Sequence, residues 1–387
     1  MQYNFDEIIN RNNTDCFKYD LRKKFFNTDG IIPMWVADMD FRTPDFVMSA
    51  LKTRIDHEIL GYTTLNDSFY EAIVSWVYKR HKWKIKKQWI AYTPGVVPAL
   101  NLAVKAFTDP GDSIIIQSPV YFPFYSAVTD HNRKLIVNNL QLKDNRYYMD
   151  IDSLRSIIDR KTKMMILCSP HNPTGNVWRK EELTELTDFC LENNILIISD
   201  EIHADIVYKG NKHIPTAKLS EEVSDRVITL MAPSKTFNFA GLSTSYFIAS
   251  NQQLFEKLKK QIEHLHLGMG NIFGNIALTA AYNNGDNWLE QLIEYLEQNV
   301  HLAQEFINSE LKNIELIPPE ATFLLWLDFR KTNLSLKEIR DRMIYKAKLV
   351  LSEGSLFGKN GTGFQRINIG CPRSVLESAL NNIAKVF

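Results

Sequence analysis

Short apolar runs alternate with amphipathic segments between about residues 87 and 231. The runs predict strands at 114–117, 135–138, 164–168, 195–199 and 227–231, and apolar residues spaced three to four apart predict helices at 152–160 and 180–193. Strands that alternate with helices are joined by right-handed crossovers. This stretch therefore predicts a mostly parallel sheet covered by helices on both faces.

The pattern changes after residue 250. Longer helical patterns occupy 252–266, 271–282 and 287–309, followed by a strand-like run at 323–328, a helix at 336–346 and a strand-like run at 364–369. Up to about residue 42 the chain has no clear period. We predict an N-terminal segment, 1–45, that joins a small C-terminal α+β domain, 287–387, and a large domain, 46–286, that carries the ligand site.

Composition excludes several classes of partner. The 387 residues include 45 Lys and Arg and 45 Asp and Glu, so the net charge is zero and no global field attracts nucleic acid or anionic lipid. Apolar runs are too short to span a bilayer and no leader pattern is visible, which predicts a cytoplasmic protein without membrane contact. The four cysteines are far apart and form no CxxC pair, so we expect reduced thiols and no metal site.

Polar residues follow several predicted strands at the point where each strand ends. Lys235 follows strand 227–231, Asp200 follows 195–199, and Asn172 follows 164–168. Gly95 follows an apolar run and opens a helix with an early proline. Each feature also has an ordinary interpretation: a solvated lysine, an N-cap, a Pro/Gly turn or a plain helix start. Parallel sheets bind ligands at the edge where their strands end, so we expect the four features to converge.

The four features together match the needs of one cofactor. A lysine beyond a buried strand can form a Schiff base, and an acidic residue can keep a pyridine nitrogen protonated. An amide can bond a phenolic oxygen, and a helix start can bind a phosphate. Pyridoxal 5′-phosphate (PLP) needs all of these interactions, so the sequence predicts a PLP site.

The order of the longer motifs resembles that of a known enzyme family. These motifs are MWVADMDF, GYT at 61–63, TPGVVPAL, PVYFPF, SPHNPTG, SDEIHADIVY, SKTFNFAGL and FQRIN. Over nearly its whole length the chain is similar to fold-type I PLP enzymes, and specifically to the MalY/PatB group of cystathionine β-lyases, or carbon–sulfur lyases. The resemblance implies an α/β fold-type I PLP transferase, with a large domain built on a mostly parallel seven-stranded sheet and a smaller α+β domain.

The resemblance implies roles for four residues around the cofactor ring. Lys235 matches the lysine that forms the Schiff base, and Asp200 matches the partner of the pyridine nitrogen. Asn172 matches the amide that bonds the ring oxygen, and Tyr121 of PVYFPF matches the aromatic side chain that stacks on the ring.

The phosphate of the cofactor has its own implied residues. Gly95, Val96 and Val97 match the phosphate-binding turn, and Ser234 adds a hydroxyl. Tyr62 matches a tyrosine that reaches the phosphate of the neighbouring subunit, which implies a homodimer with shared active sites.

On the substrate side, Arg366 matches the arginine that binds the α-carboxylate, a bidentate task suited to a guanidinium. Trp35 and Ala37 are expected to line this side. The chain departs from the broader aminotransferase pattern twice: His203 stands where a tyrosine is usual, and Ser243 where an arginine is common. His203 could still hydrogen-bond near the ring oxygen, and the phosphate would depend on neutral donors and the helix start. Both departures favour a lyase.

The reaction implied by the resemblance is α,β-elimination from a small amino-acid substrate. L-cystathionine or another L-cysteine S-conjugate would give a thiol, pyruvate and ammonia. Two alternatives stay open at the level of sequence. The same residues could support an aminotransferase, and a PLP-bound regulatory protein could retain lyase activity as a secondary function.

Overall fold

The computed structural model describes residues 2–387, and its centre is a seven-stranded sheet. The strands in chain order are β1 Ile32–Pro33, β2 Ile90–Thr93, β3 Ser113–Ser118, β4 Lys134–Asn139, β5 Gln141–Lys143, β6 Arg146–Tyr148, β7 Thr162–Cys168, β8 Leu196–Asp200, β9 Val227–Met231, β10 Ser245–Ile248, β11 Glu315–Ile317, β12 Leu324–Asp328, β13 Leu349–Val350, β14 Ser352–Glu353 and β15 Phe364–Asn368. In the central sheet the spatial order is β2-β10-β9-β8-β7-β3-β4. Only β10 runs against the other six strands.

Helices cover both faces of this sheet. The α-helices of the described chain, those outside this sheet included, are α1 Phe17–Asp20, α2 Arg22–Phe26, α3 Asp45–Ile55, α4 Asp67–His81, α5 Val96–Phe107, α6 Pro123–Thr129, α7 Ile151–Ile157, α8 Lys180–Glu192, α9 Glu221–Ser224, α10 Gln252–His264, α11 Ile272–Asn284, α12 Asp286–Glu310, α13 Leu336–Asp341 and α14 Arg373–Ala384. Short 3₁₀ turns lie at Lys87–Trp89, Thr216–Lys218, Ala240–Leu242, Arg330–Thr332, Gly354–Phe357 and Lys359–Gly361.

The core follows the alternation of side chains along the strands. Ile114, Ile116 and Met164 belong to one apolar cluster, together with residues of α5, α6 and α10, whereas Ile115 and Met165 belong to the cluster on the other face. Successive residues of a strand point to opposite faces, so strands that are apolar throughout require cover on both sides. The predicted mostly parallel sheet between helices is confirmed.

A smaller sheet, in the order β11-β12-β15-β14, lies in the C-terminal part of the chain. The N-terminal segment is attached to this part, because β1 pairs in parallel with β13 and the Met34 carbonyl accepts a hydrogen bond from Asn368 N–H at 3.0 Å. The division of the chain into three parts stays a prediction.

Several sequence-based predictions were wrong in detail. Strand β10 was not predicted, and neither was the β5–β6 hairpin. The helix predicted at 152–160 ends at Ile157, and the one predicted at 336–346 changes from an α-helix to a π-helical turn at Arg342–Lys346. Within residues 2–387, no helix is both long and apolar enough to cross a membrane.

Candidate functional site

The loops at the carboxyl edge of the central sheet enclose a cavity of about 230 Å³. The predicted site residues that line it are Ala37, Gly95, Val96, Val97, Tyr121, Asn172, Asp200, His203, Ser234 and Lys235. A second recess of about 740 Å³ shares Ala37, Ala240 and Lys235 with the cavity. The four strand-end features therefore converge as predicted, and Lys235 lies where the two spaces meet.

Helix α5 begins at the cavity. Gly95 has a φ of +146°, and a Cβ there would lie 3.2 Å from Pro98 Cδ, so a side chain at this position would be strained and crowded. The first N–H groups of an α-helix have no partner within the helix. Val96 and Val97 bring that end of α5 to the cavity wall, where it favours an anion.

Asn172 is held in the turn after β7. Its backbone carbonyl accepts a hydrogen bond from Tyr121 N–H at 3.1 Å, and its side-chain Oδ1 accepts one from Arg366 Nη1 at 3.0 Å. The turn closes at Gly175, whose φ is +75° and where a Cβ would lie 2.8 Å from Pro319 Cβ. Asn172 is therefore held by the backbone of Tyr121 at its carbonyl and by the guanidinium of Arg366 at its side chain.

Asp200 is the last residue of β8, and only 4% of its surface is exposed. One carboxylate oxygen accepts a hydrogen bond from Ile202 N–H at 3.1 Å. Burial, reinforced by the neighbouring Glu201 charge, raises the pKa of Asp200 to about 7, although the Ile202 N–H and Lys235 oppose this shift. A cation placed against Asp200 would reverse the shift, as a protonated ring nitrogen does.

Lys235 lies four residues after the end of β9, and its Nζ donates a hydrogen bond to the Ala37 carbonyl at 2.6 Å. Burial lowers the pKa of Lys235 to about 8, and the Arg366 charge contributes in the same direction. Asp38 and Asp200 oppose the shift. An amine with such a pKa exists partly as the free base near neutral pH, which is what a nucleophile or proton acceptor requires.

Arg366, on β15, is 3% exposed and forms no ion pair with any described residue. Its Nη2 donates to the Trp35 carbonyl at 2.8 Å and to Ser352 Oγ at 3.2 Å, whereas its Nε is buried without a partner. Burial lowers the pKa of Arg366 to about 10. A buried guanidinium without an acid is suited to a carboxylate ligand.

His203 follows Asp200 along the cavity wall and is electrically neutral. Burial, with the charges of Lys235 and Arg366, lowers the pKa of His203 to about 3. Its Nδ1 is buried without a hydrogen-bond partner. A neutral ring with an unsatisfied nitrogen can serve a polar ligand in the cavity.

Trp35 does not line either space with its side chain. Its ring packs against Phe17, Phe25 and Phe26 at centroid distances of 5.4, 5.7 and 5.1 Å, and its Nε1 donates to the Lys18 carbonyl. Only the Trp35 carbonyl reaches the site, where it accepts from Arg366. The sequence motif placed the right segment but did not reveal which part of the residue faces the ligand.

Tyr62 lies apart from the cavity within the single chain. Its side chain is 98% exposed and borders a different recess, together with Arg54 and Asn66. The structure therefore brings together all the predicted residues except Tyr62. Arg366 is joined to the cavity by its hydrogen bond to Asn172, and Trp35 is joined to Arg366 by its backbone carbonyl.

The sequence analysis did not identify three side chains that contribute to the site: Ser352, Asn368 and Asp38. Ser352 binds Arg366, and Asn368 Nδ2 donates to the carbonyls of Val36 and Asp38 at 2.6 Å each. Asn368 had a signal, because it lies two residues after Arg366 and hence on the same face of β15. Ser352 and Asp38 had none beyond their place in an apolar stretch or a motif.

The donors and acceptors around the cavity fit PLP. A helix start and the Ser234 hydroxyl suit its phosphate, Tyr121 suits its ring, and Asp200 suits its ring nitrogen. The orphaned Nδ1 of His203 adds a polar position that a ligand would satisfy.

A family model for aminotransferase class I and II matches residues 30–383. The chain belongs to this family. Among curated relatives of this aminotransferase-family chain, cystathionine beta-lyase PatB of Bacillus subtilis (strain 168) is 42% identical over 98% of both chains. Protein MalY of Escherichia coli (strain K12) is 30% identical over 98% of this chain and 97% of its own length. The predicted MalY/PatB resemblance is confirmed.

A solved structure extends the comparison. The PLP-bound C-S lyase from Staphylococcus hominis superposes on this aminotransferase-family chain with a TM-score of 0.92 and 35% identity, covering 100% of this chain and 98% of that one. The predicted fold-type I class is confirmed.

Proposed function

We propose that the protein is a PLP-dependent carbon–sulfur β-lyase that converts L-cystathionine or another L-cysteine S-conjugate into a thiol, pyruvate and ammonia. The observation that carries this proposal is that Lys235 and Asp200 line one cavity, while the unpaired Arg366 is bound to Asn172 in the wall of that cavity. The likeness to PatB and to the C-S lyase of S. hominis supports the choice of reaction.

The residues that would hold the cofactor are those already described. Lys235 would bind it covalently, Asp200 would pair with the ring nitrogen, Tyr121 would stack on the ring, and the start of α5 with Ser234 would bind the phosphate. When bound, the cofactor supplies an electron sink for the α-carbon of the amino acid, which no side chain provides.

Arg366 orients the substrate by binding its α-carboxylate through two N–H groups. The amino group of the substrate would displace Lys235 Nζ from the cofactor and so free it as an amine. With the carboxylate fixed at Arg366, the Cα–H bond would face this amine, which would take the α-proton. The bond from Cβ to sulfur then breaks, its electron pair leaves with the thiolate, and the three-carbon fragment hydrolyses to pyruvate and ammonia.

The 740 Å³ recess beyond Lys235 is the place for the leaving thiol. Its lining includes the apolar side chains of Ile9, Phe17 and Met48 together with Arg11 and Asp15. A recess of this size and mixed polarity accommodates substituents larger than a methyl group on sulfur.

The test is an assay of the PLP-loaded protein with L-cystathionine and no 2-oxo acid. We expect pyruvate and homocysteine in equal amounts, and no pyruvate from L-alanine, which has no leaving group. Lys235→Ala should reduce the rate by at least about a thousandfold, because it removes the proton acceptor. The exposed Lys163→Ala should leave it unchanged. Turnover that requires an added 2-oxo acid would overturn the proposal in favour of transamination.

Two further properties belong to the same proposal. The protein acts as a homodimer in which Tyr62 completes the site of the partner, since Tyr62 is exposed and remote from the cavity of its own chain. It acts in the cytoplasm, a proposal supported by four cysteines that are buried and free among the described residues, as is usual in a reducing compartment.

A further inference from the structure

The backbone of residues 36–41 forms one wall of the site and is fixed from two sides. Asn368 Nδ2 donates to the carbonyls of Val36 and Asp38, and Asn238 binds both N–H and carbonyl of Met39. Between these anchors, the Ala37 carbonyl accepts the hydrogen bond from Lys235 Nζ at 2.6 Å. The position of the amine therefore depends on this short segment.

The next residue, Asp38, is bound by two cationic side chains from earlier in the chain, those of Arg11 and Lys18. Arg11 holds both carboxylate oxygens, with Nη2 at 2.6 Å and Nη1 at 3.3 Å, and its Nη1 also lies 2.6 Å from Asp40. Lys18 Nζ, on a side chain that is 1% exposed, lies 2.9 Å from Asp40 and 3.8 Å from Asp38. We call these four residues, Arg11, Lys18, Asp38 and Asp40, the N-terminal clamp.

Charged groups face Lys235 from several elements. Asp38 on the clamp and Asp200 on β8 favour the ammonium form, whereas Arg366 on β15 disfavours it. His203, which follows β8, is neutral and adds no charge. Of the two carboxylates, Asp38 has the larger effect on Lys235, and Asp38 is also the one that forms an ion pair with Arg11.

We propose that Arg11 is a positioning residue for Lys235: it clamps Asp38 so that the Ala37 carbonyl stays on the amine, and it withholds the Asp38 charge from that amine. Arg11 borders the recess proposed for the leaving thiol, but it acts on Lys235 through Asp38 and not through contact with the reacting carbon. The inference rests on the proposed function only in taking Lys235 as the reacting amine.

The experiment measures the proton affinity of Lys235 directly. The full chain, freed of cofactor, is labelled with trace acetic anhydride at a series of pH values, and acetylation of Lys235 is quantified by mass spectrometry. Arg11→Gln leaves Asp38 without its main counter-charge, so we expect the labelling midpoint to rise by about one pH unit. Asp38→Asn removes the negative charge, so we expect the midpoint to fall by a similar amount. The double variant should return close to the wild type.

The opposite signs separate this role from general loosening. A loosened site would admit water and move both single variants toward the ordinary lysine value of about 10.4. Arg11→Lys keeps the charge and should keep the midpoint within a few tenths of a unit. Arg42→Gln is the matched control, because Arg42 pairs with Glu7 on the surface of the same segment, and it should cause no shift.

Shifts of the same sign in Arg11→Gln and Asp38→Asn, or no shift in either, would overturn the inference. If Arg11→Gln does not fold, the other two variants still test the inference. A labelling midpoint that rises in Asp38→Asn, or that moves by about one pH unit in Arg11→Lys, would contradict it. In the PLP-loaded protein, the acid limb of the pH profile of kcat should move with the labelling midpoint, because Lys235 is a free amine only once substrate is bound. Because labelling requires no turnover, it tests the clamp even if the elimination assay fails.

Discussion

Two arginines with buried or largely buried side chains illustrate how differently the fold treats charge at the level of single residues. Arg146, 11% exposed, binds Glu182 bidentately at 2.7 and 2.8 Å and also contacts Glu320. Arg366 is buried more deeply and has only neutral partners. A paired buried charge supports the fold, whereas an unpaired one costs stability and is retained for a ligand.

Arg366→Met should therefore damage activity much more than stability. We expect kcat/KM for elimination to fall by about a hundredfold or more, mainly through KM, because the charged hydrogen bonds to the carboxylate are lost. The free energy of unfolding of the cofactor-free chain should change by less than about 1 kcal/mol. Arg146→Met, the matched control, should lower it by about 3 kcal/mol because two glutamates lose their partner. Equal losses of stability in both variants would contradict this interpretation of Arg366.

At the level of elements, the buried carboxylate of Asp205 connects helix α4 to the turn that carries Lys235. Its carboxylate accepts hydrogen bonds from Trp76 Nε1 and contacts His81 Nε2, both on α4, and also accepts one from Thr236 Oγ1, next to Lys235. Burial alone would raise the pKa of Asp205, but the interaction with His81, the charge of Arg80 and the hydrogen bond from Thr236 together outweigh burial and hold the pKa below its usual range. The turn that carries Lys235 is thereby fixed to α4.

Asp205→Asn should lower the free energy of unfolding at pH 7 by about 2 kcal/mol, since an amide is a weaker acceptor for three donors. A carboxylate whose pKa is lowered by folding stabilises the native state above its unfolded pKa, and this contribution is lost as the pH falls. The difference between wild type and variant should therefore shrink below about pH 4. Urea unfolding at several pH values measures it.

Asp67→Asn is the control for that series, because Asp67 is 77% exposed and pairs with Lys87 on the surface. It should change the free energy of unfolding by less than about 0.5 kcal/mol. If the free energy of unfolding of Asp205→Asn differed from that of the wild type by the same amount at every pH, the effect would come from altered packing and not from the lost charge.

The elements were predictable from sequence where burial dictates them, and less so elsewhere. Strands β7, β8 and β9 consist mostly of buried apolar residues because both faces are covered, so their runs were visible. Strand β10 is equally buried but only four residues long, and between it and Lys235 there is only a short 3₁₀ turn and no α-helix, which hid the strand. Register and direction depend on partners that are distant in sequence, such as the pairing of Tyr246 with Tyr92 and Met231.

The site, like the strands, could be predicted from sequence only in part. Lys235, Asp200 and Asn172 follow strands of one sheet, so topology alone predicted that they converge. Asp38 and Arg366 reach the site from opposite ends of the chain, through β1–β13 pairing and the Asn368 side chain. No periodicity encodes contacts of that kind, and for Arg366 only the family resemblance suggested its role.

The largest scale is the proposed assembly of two chains. Tyr62 belongs to a loop and helix-end region that exposes Ile55, Ile59 and Leu60 at 53%, 67% and 57%, an apolar surface that a second copy would cover. If Tyr62 acts in the partner's site, a dimer of one Lys235→Ala chain and one Tyr62→Ala chain contains one complete site. We expect such heterodimers, co-expressed with two affinity tags, to have about half the wild-type activity per dimer, the same as heterodimers of wild type and Lys235→Ala.

The Tyr62→Ala homodimer should bind PLP about tenfold more weakly, since each site loses one contact to the phosphate. Were Tyr62 to act within its own chain, the mixed dimer would pair an inactive site with a weakened one and would show no gain over Tyr62→Ala. Sedimentation of the wild type as a monomer would exclude shared sites altogether, because Tyr62 would then have no cavity within reach.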